Sequence, residues 1–262
     1  MVGDKTKIVL VLEYDGTGYY GFQLQDNVPT IQGVLETGIK KLTGEMSRII
    51  AASRTDSGVH ARGQVVSFRT GSVLPPQQII TGLNYYLPAD IAVRAAYRVS
   101  DKFNVRKDAV SREYKYYILN SLTRSPLRKY YSYQVKGQLN IEDMNRACQA
   151  IIGRHDFISF ASELADDEKS STVRDVYRAV MVREGEMMVF DIEANSFLRH
   201  QVRNTVGALI RVGLGKVGID EFKDIIKARQ PGRAGPAVPA CGLCLERVNY
   251  PGPFQERFNE NL

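Results

Sequence analysis

The chain of 262 residues has no tryptophan, three cysteines and three histidines, and nowhere a long apolar run. Each scarcity removes a class of function. An odd, small number of cysteines without a secretion signal speaks against a disulfide framework. Cys241-Gly242-Leu243-Cys244 has the spacing of a metal-ligand pair, but no second pair exists and His60, His155 and His200 are scattered, so no metal is expected. The longest hydrophobic stretches are far too short to cross a bilayer. Gly3-Asp4-Lys5-Thr6-Lys7 leads straight into a strand pattern, where a leader would show a charged and then an apolar region; the expectation is a cytoplasmic protein without membrane contact.

What is present is an ordinary globular composition, 44% hydrophobic and 24% charged, with 35 lysines and arginines against 29 acids. That excess of base is compatible with a polyanionic partner. Basic residues crowd Arg94 to Arg128, Arg199 to Arg211 and Lys223 to Arg233. Tyr85, Tyr86, Tyr97, Tyr114, Tyr116 and Tyr117 are interleaved with the first group. The mixture suits phosphates and stacked bases, although alternate tyrosines also line sheet cores.

The periodicity predicts an α+β fold. Lys7–Tyr14 reads as a central strand, and Thr30 caps a helix that Gly44 stops, with Ile31, Val34, Leu35, Ile39 and Leu42 on one face. A strand around Val65 to Phe68 follows, then a helix opened by Pro75-Pro76 and a strand from Ile91 to Val99. Strand, helix, strand, helix, strand is the pattern of ferredoxin-like domains. The chain turns polar near Asp101 to Ala109, which divides it into an N-terminal domain of residues 1–105 and a C-terminal one of 106–262. The second half starts with strands at Ser111–Leu119 and Tyr130–Val135 and a helix capped by Asn140. A small, polar, acidic stretch from Ala161 to Ser171 reads as a mobile loop, and a hairpin turns at Glu184-Gly185. Helices over Phe197–Val212 and about Ile219–Arg229 follow, and the last strand is Gly242–Tyr250. The whole predicts two ferredoxin-like halves, resembling RNA-recognition modules, that share a largely antiparallel sheet, with helices on one side and a cleft between the halves.

One stretch, Ala51 to Phe68, interrupts apolar sequence with a polar knot, Ser53-Arg54-Thr55-Asp56-Ser57-Gly58. In an extended loop Arg54 and Asp56 stand two apart and point the same way, and Gly58 permits a turn closed to other residues. An Asp-stabilised turn with a solvated arginine would read the same, so local chemistry leaves both open.

Arg54-Thr55-Asp56-Ser57-Gly58-Val59-His60-Ala61 resembles the active-site signature of the TruA family of tRNA pseudouridine synthases. Further blocks follow in that family's order: Tyr14-Asp15-Gly16-Thr17, Gly21-Phe22-Gln23, Gln32-Gly33-Val34-Leu35-Glu36, Arg112-Glu113-Tyr114-Lys115-Tyr116 and Gly153-Arg154-His155-Asp156-Phe157. The series continues with Phe197 to Asn204, Val206-Gly207 and Pro239 to Leu243. Ser53 stands where the family commonly has glycine, and Phe22 where it commonly has tryptophan.

The resemblance implies isomerisation of uridine to pseudouridine at tRNA positions 38, 39 and 40, in the anticodon arm, without metal or organic cofactor. Asp56 is then the essential carboxylate and Arg203 its cation. Arg54 enters the space left by the extruded base, Tyr114 stacks on that base, and Leu243 packs the pocket. A homodimer is implied, one subunit holding the tRNA body while the other supplies the active site. His60 and Asp15 are read as ordering the loop. Two other classes stand beside this one. A non-catalytic protein binding structured RNA leaves Asp56 and Arg203 unexplained, and a hydrolase of glycosidic bonds wants a second carboxylate that is not clearly paired with Asp56.

Overall fold

The structure, a computed structural model, describes residues 5–161 and 171–252; the expected acidic loop at 161–171 lies almost wholly outside them. The chain forms two compact units, Met1–Val110 with Leu245–Leu262, and Ser111–Cys244.

In the first unit the run KIVLVLEY becomes β1 (Thr6–Tyr14), in which Ile8 through Leu12 are all buried. An unbroken apolar run marks a strand covered on both faces, whereas an exposed face would carry alternate polar residues. Helix α1 (Ile31–Thr43) follows. Thr30 accepts from the Gly33 amide at its start, and Gly44 ends it in the left-handed region, with φ of 76°. Short β2 (Ile50–Ala51) leads to β3 (His60–Thr70), then α2 (Pro76–Tyr86) and β4 (Ile91–Val99). β1 runs antiparallel to both β3 and β4, and β2 pairs with β3. The order 4-1-3-2 is the ferredoxin-like one, with α1 and α2 packed together and α2 on β4. Residues of the last strand, β10 (Leu243–Asn249), extend this sheet along β3.

The second unit opens with β5 (Ser111–Asn120). Its alternation buries Tyr114, Tyr116 and Ile118 on one face and leaves Glu113, Lys115 and Tyr117 half-exposed on the other. Strand β6 (Tyr133–Val135) runs parallel to β5 and is shorter than the expected Tyr130–Val135, because Tyr130 and Tyr131 belong to a turn. Asn140 caps α3 (Ile141–Ile151), accepting from the amides of Glu142 and Asp143. Strands β7 (Gly153–Asp156), β8 (Val173–Glu184) and β9 (Met187–Ala194) complete an antiparallel sheet of order β5-β9-β8-β7. The β8–β9 hairpin turns at Gly185, whose φ is 62°.

Helices α4 (Gln201–Gly213) and α5 (Ile219–Ala228) pack with α3. Helix α4 starts four residues later than the apolar spacing from Phe197 predicts. His200 sits in the left-handed region, with φ of 63°, and breaks the helical path, so Phe197 and Leu198 lie in the approach to the helix. Among the described residues no helix is long and apolar enough to cross a membrane.

Candidate active site

Residues 52–59 link β2 to β3 and hold the polar knot in one conformation. Thr55 turns inward and is buried, with its Oγ1 2.8 Å from the Tyr14 hydroxyl. Behind it lies Gln64, fully buried in β3. Its Nε2 donates to the Ser53 carbonyl at 2.7 Å, and its Oε1 accepts from the Ser53 amide at 3.3 Å. A buried amide with both ends satisfied is rigid, because any shift strands a polar group away from water. Arg54, before Thr55, is exposed and Asp56, after it, is half-buried. The two flank an inward residue, the alternation that an extended RTD predicts.

The loop after β1 closes on this segment from the other side. The Phe22 amide donates to the Thr55 carbonyl at 3.0 Å, while Ser57 Oγ and the Gly58 amide both donate to the Tyr19 carbonyl, at 3.1 and 3.3 Å. Glycine is required at two points of the approach. A Cβ on Gly16 would sit 2.0 Å from the Val59 carbonyl oxygen, and one on Gly21, where φ is 93°, would sit 2.9 Å from the Thr55 oxygen. The Val59 amide donates to the Asp56 carbonyl at 3.2 Å and closes the turn in which Gly58 adopts a φ of 77°.

His60 is buried, with Nδ1 3.2 Å from the Gly16 amide and 3.1 Å from Asp15 Oδ1. One nitrogen cannot serve both: a neutral ring accepts the amide there, and a protonated one donates to the carboxylate. Asp15 Oδ1 also accepts from the Thr17 amide and hydroxyl, at 2.9 and 2.6 Å. These contacts order the Gly16 turn, as the sequence reading of both residues expects.

The second unit carries the other expected residues. The buried Tyr114 ring meets Phe197 edge-to-face, with centroids 5.2 Å apart and planes at 88°. Arg203, in the first turn of α4, is half-buried, and its Nε donates to the Val238 carbonyl at 2.8 Å. One turn on, a Cβ on Gly207 would sit 2.8 Å from the Pro236 oxygen, so the 236–238 strand of chain lies directly on the helix. Tyr116 is fully buried and donates to the Pro239 carbonyl at 2.7 Å. Burial and the Cys241 thiol hold its phenol well above the usual range, against the opposing pull of the Arg203 charge. A Cβ on Gly242 would press on that ring at 2.7 Å, and Leu243 beside it is buried.

Sequence reasoning gave no site role to Tyr14, Gln64, Phe197 or Val238. A glutamine inside the apolar run of β3 was the available signal for Gln64; the other three contacts join residues far apart in sequence. All three cysteines are free, and no cluster of three or more His, Cys, Asp or Glu among the described residues is placed to hold a metal ion.

The family model for tRNA pseudouridine synthase matches residues 10–107 and 147–251, one segment containing the Asp56 loop and the other containing Arg203. The tRNA pseudouridine synthase A of Thermoanaerobacter sp. (strain X514) is 42% identical over 243 residues, covering 93% of this chain and 99% of the relative. That of Geobacter sp. (strain M21) is 41% identical over 247 residues, covering 93% and 98%. That of Myxococcus xanthus is 40% identical over 245 residues, covering 93% and 92%. The chain therefore belongs to the tRNA pseudouridine synthase family, isomerases that convert uridine to pseudouridine in tRNA.

Proposed function

We propose that the protein isomerises uridines 38, 39 and 40 in the anticodon arm, with Asp56 as the reacting carboxylate. The reaction breaks the bond from uracil N1 to ribose C1′, turns the base over and rejoins C1′ to C5. The C5 proton leaves and N1 gains one, so the product has the mass of the substrate and no electrons are exchanged. A carboxylate can serve by attacking covalently or by removing a ribose proton, and either role needs it ionised. The observation that carries the proposal is the clamped loop. Thr55 and Ser53 are pinned from behind, so Asp56 is held on rigid backbone with its side chain half-buried.

Arg203 is assigned as the permanent cation of the reaction, its guanidinium oriented by the Val238 carbonyl. Tyr114 stacks on the extruded uracil, and Leu243 packs the wall of the pocket. Arg54, exposed in the same loop, fills the space that the base leaves. The enzyme works as a cytoplasmic homodimer in which one subunit holds the tRNA body for the other's active site, phosphate contacts positioning the RNA while only the extruded base is read closely.

The test is to incubate the protein with unmodified tRNA, without added metal or nucleotide, and to map new pseudouridines by carbodiimide-blocked primer extension. Stops at positions 38 to 40 that vanish with Asp56→Asn are the expected result. Full turnover by that variant overturns the assignment, and free uracil among the products would mean hydrolysis.

A further inference from the structure

Between Glu113 and Glu142 the chain has no acidic residue. In the middle of that span, residues 121–132 leave the end of β5 and return to β6 as an excursion from the second unit. It carries Arg124, Arg128 and Lys129, all exposed, and among the described residues none of the three has a carboxylate within ion-pair distance. Other exposed arginines are paired, Arg62 with Glu246 at 3.3 Å, Arg69 with Asp101 at 3.1 Å and Arg178 with Asp191 at 2.9 Å. The excursion also exposes apolar surface, Leu127 at 91% and Leu122 at 79%, with Tyr130 and Tyr131 about half exposed. Lys129 Nζ stands 4.4 Å from the centroid of the Tyr130 ring.

The backbone beneath these side chains is well tied. Gln134 Nε2 donates to the Ser121 carbonyl at 3.0 Å and closes the base of the excursion. The Tyr131 amide and Ser132 Oγ both donate to the Arg128 carbonyl at 3.0 Å. Conformational entropy is already lost there, so a partner meets the charges in a fixed display. Tyr114 lies in the first half of β5, and the excursion starts after its last residue, Asn120. Six residues at ~3.3 Å each separate them by about 20 Å, roughly the width of an RNA duplex.

We propose that residues 121–132 form a second RNA contact of this enzyme. Arg124, Arg128 and Lys129 take successive backbone phosphates of the tRNA, and Tyr130 offers a ring face to an unpaired base. Set off from Tyr114 along β5, the excursion grips the RNA beyond the reacting nucleotide. A protein interface would account for the exposed leucines, but three cations without a carboxylate partner would be desolvated at its core without compensation. A phosphodiester backbone supplies the missing anions. The proposal rests on tRNA being the substrate and adds the residues that hold its body.

The experiment is a tRNA-binding titration across a salt series with Arg124→Ser, Arg128→Ser and Lys129→Ser combined, after circular dichroism has matched the fold to wild type. Affinity at low salt is expected to fall about tenfold or more, and the slope of log K against log salt to drop by about 2 to 3, one phosphate per lost cation. Each single variant should lower the slope by about 1. Tyr130→Ala should weaken binding about fivefold with the slope unchanged. An unaltered affinity and slope overturns the proposal, and so does a change of sedimentation coefficient with the slope intact, which would assign the surface to another protein chain. Asp56→Asn, measured alongside, keeps wild-type binding and slope; should it also keep turnover, the catalytic assignment fails while the RNA contact is still judged by its own slope.

Discussion

The Gln64 side chain does for Ser53 what a neighbouring strand would do, accepting from its amide at 3.3 Å and donating to its carbonyl at 2.7 Å. The loop that carries Asp56 thus leaves the sheet edge without losing its backbone bonds, and it is held where a free loop would drift. The same device recurs on helices of both units. Asn84 of α2 bonds both backbone groups of Val93, at 2.9 and 2.7 Å, and Asn145 of α3 bonds both of Met181, at 2.9 and 2.8 Å.

Replacing Gln64 by leucine keeps the volume and removes the clamp. The Ser53 amide and carbonyl are then left without it, at about 1–3 kcal/mol in urea unfolding. Single-turnover isomerisation should slow about tenfold or more as Asp56 loses its fixed position, while tRNA affinity stays near wild type. An unchanged rate would show that the clamp does not hold the reacting loop.

Asn145→Leu and Asn84→Leu should each cost about 1–3 kcal/mol for the same reason. Neither should alter the catalytic rate of the folded enzyme, since both bond a helix to a sheet strand and not the 52–59 loop. Urea titration with rate measurement on the folded fraction separates them from Gln64→Leu.

The glycines of the loop after β1 make a controlled set. Gly16→Ala drives a Cβ into the Val59 carbonyl at 2.0 Å and should abolish activity or folding, whereas a Cβ on Gly18 meets nothing within 4 Å. Gly18→Ala should therefore lie within about 0.5 kcal/mol of wild type and keep full activity. Thermal melting and a tritium-release assay read both.

Arg203→Lys keeps the charge and loses the planar Nε–H that the Val238 carbonyl accepts. The expected result is a turnover number reduced about ten- to a hundredfold with KM little changed. A KM effect alone would make Arg203 a binding residue.

Burial pushes the Cys148 thiol from its ordinary 9.0 up to about 12. An unfolded chain releases that proton above about pH 9 while the folded one keeps it, so the unfolded state binds fewer protons there and stability falls as pH rises from about 9 towards 12, by about 1.4 kcal/mol per unit. Below pH 9 the thiol contributes no slope. Cys148→Ala should flatten this part of the alkaline limb in urea unfolding, and an unchanged limb would refute the assignment.

Much of the local structure was legible in the residues alone. Thr30 and Gly44 bound α1, Asn140 caps α3, and Gly185 turns the β8–β9 hairpin, because caps, turns and amphipathic faces depend on neighbours a few positions away. Asp56, flanked by Arg54 and followed by Gly58, was equally visible as a polar knot. Where His200 leaves the helical region, the apolar spacing that continues through Phe197 gave no warning, since Phe197 is apolar to face Tyr114 and not to join the helix face.

The fate of the tyrosines divides the two kinds of information. Composition set Tyr85 and Tyr116 side by side as candidates for stacked bases, yet one is 82% exposed on α2 and the other fully buried against Pro239. The sequence determined which elements form, where they stop and that a carboxylate stands in a tight polar turn, all of which are short-range matters of φ, ψ and periodicity. Tertiary structure alone decided that Tyr14 and Gln64 support that turn from β1 and β3, and that β10 returns from the far end of the chain to lie along β3. Which strands pair, and which side chains meet across them, are properties of residues brought together from distant positions, and no local pattern encodes the partner.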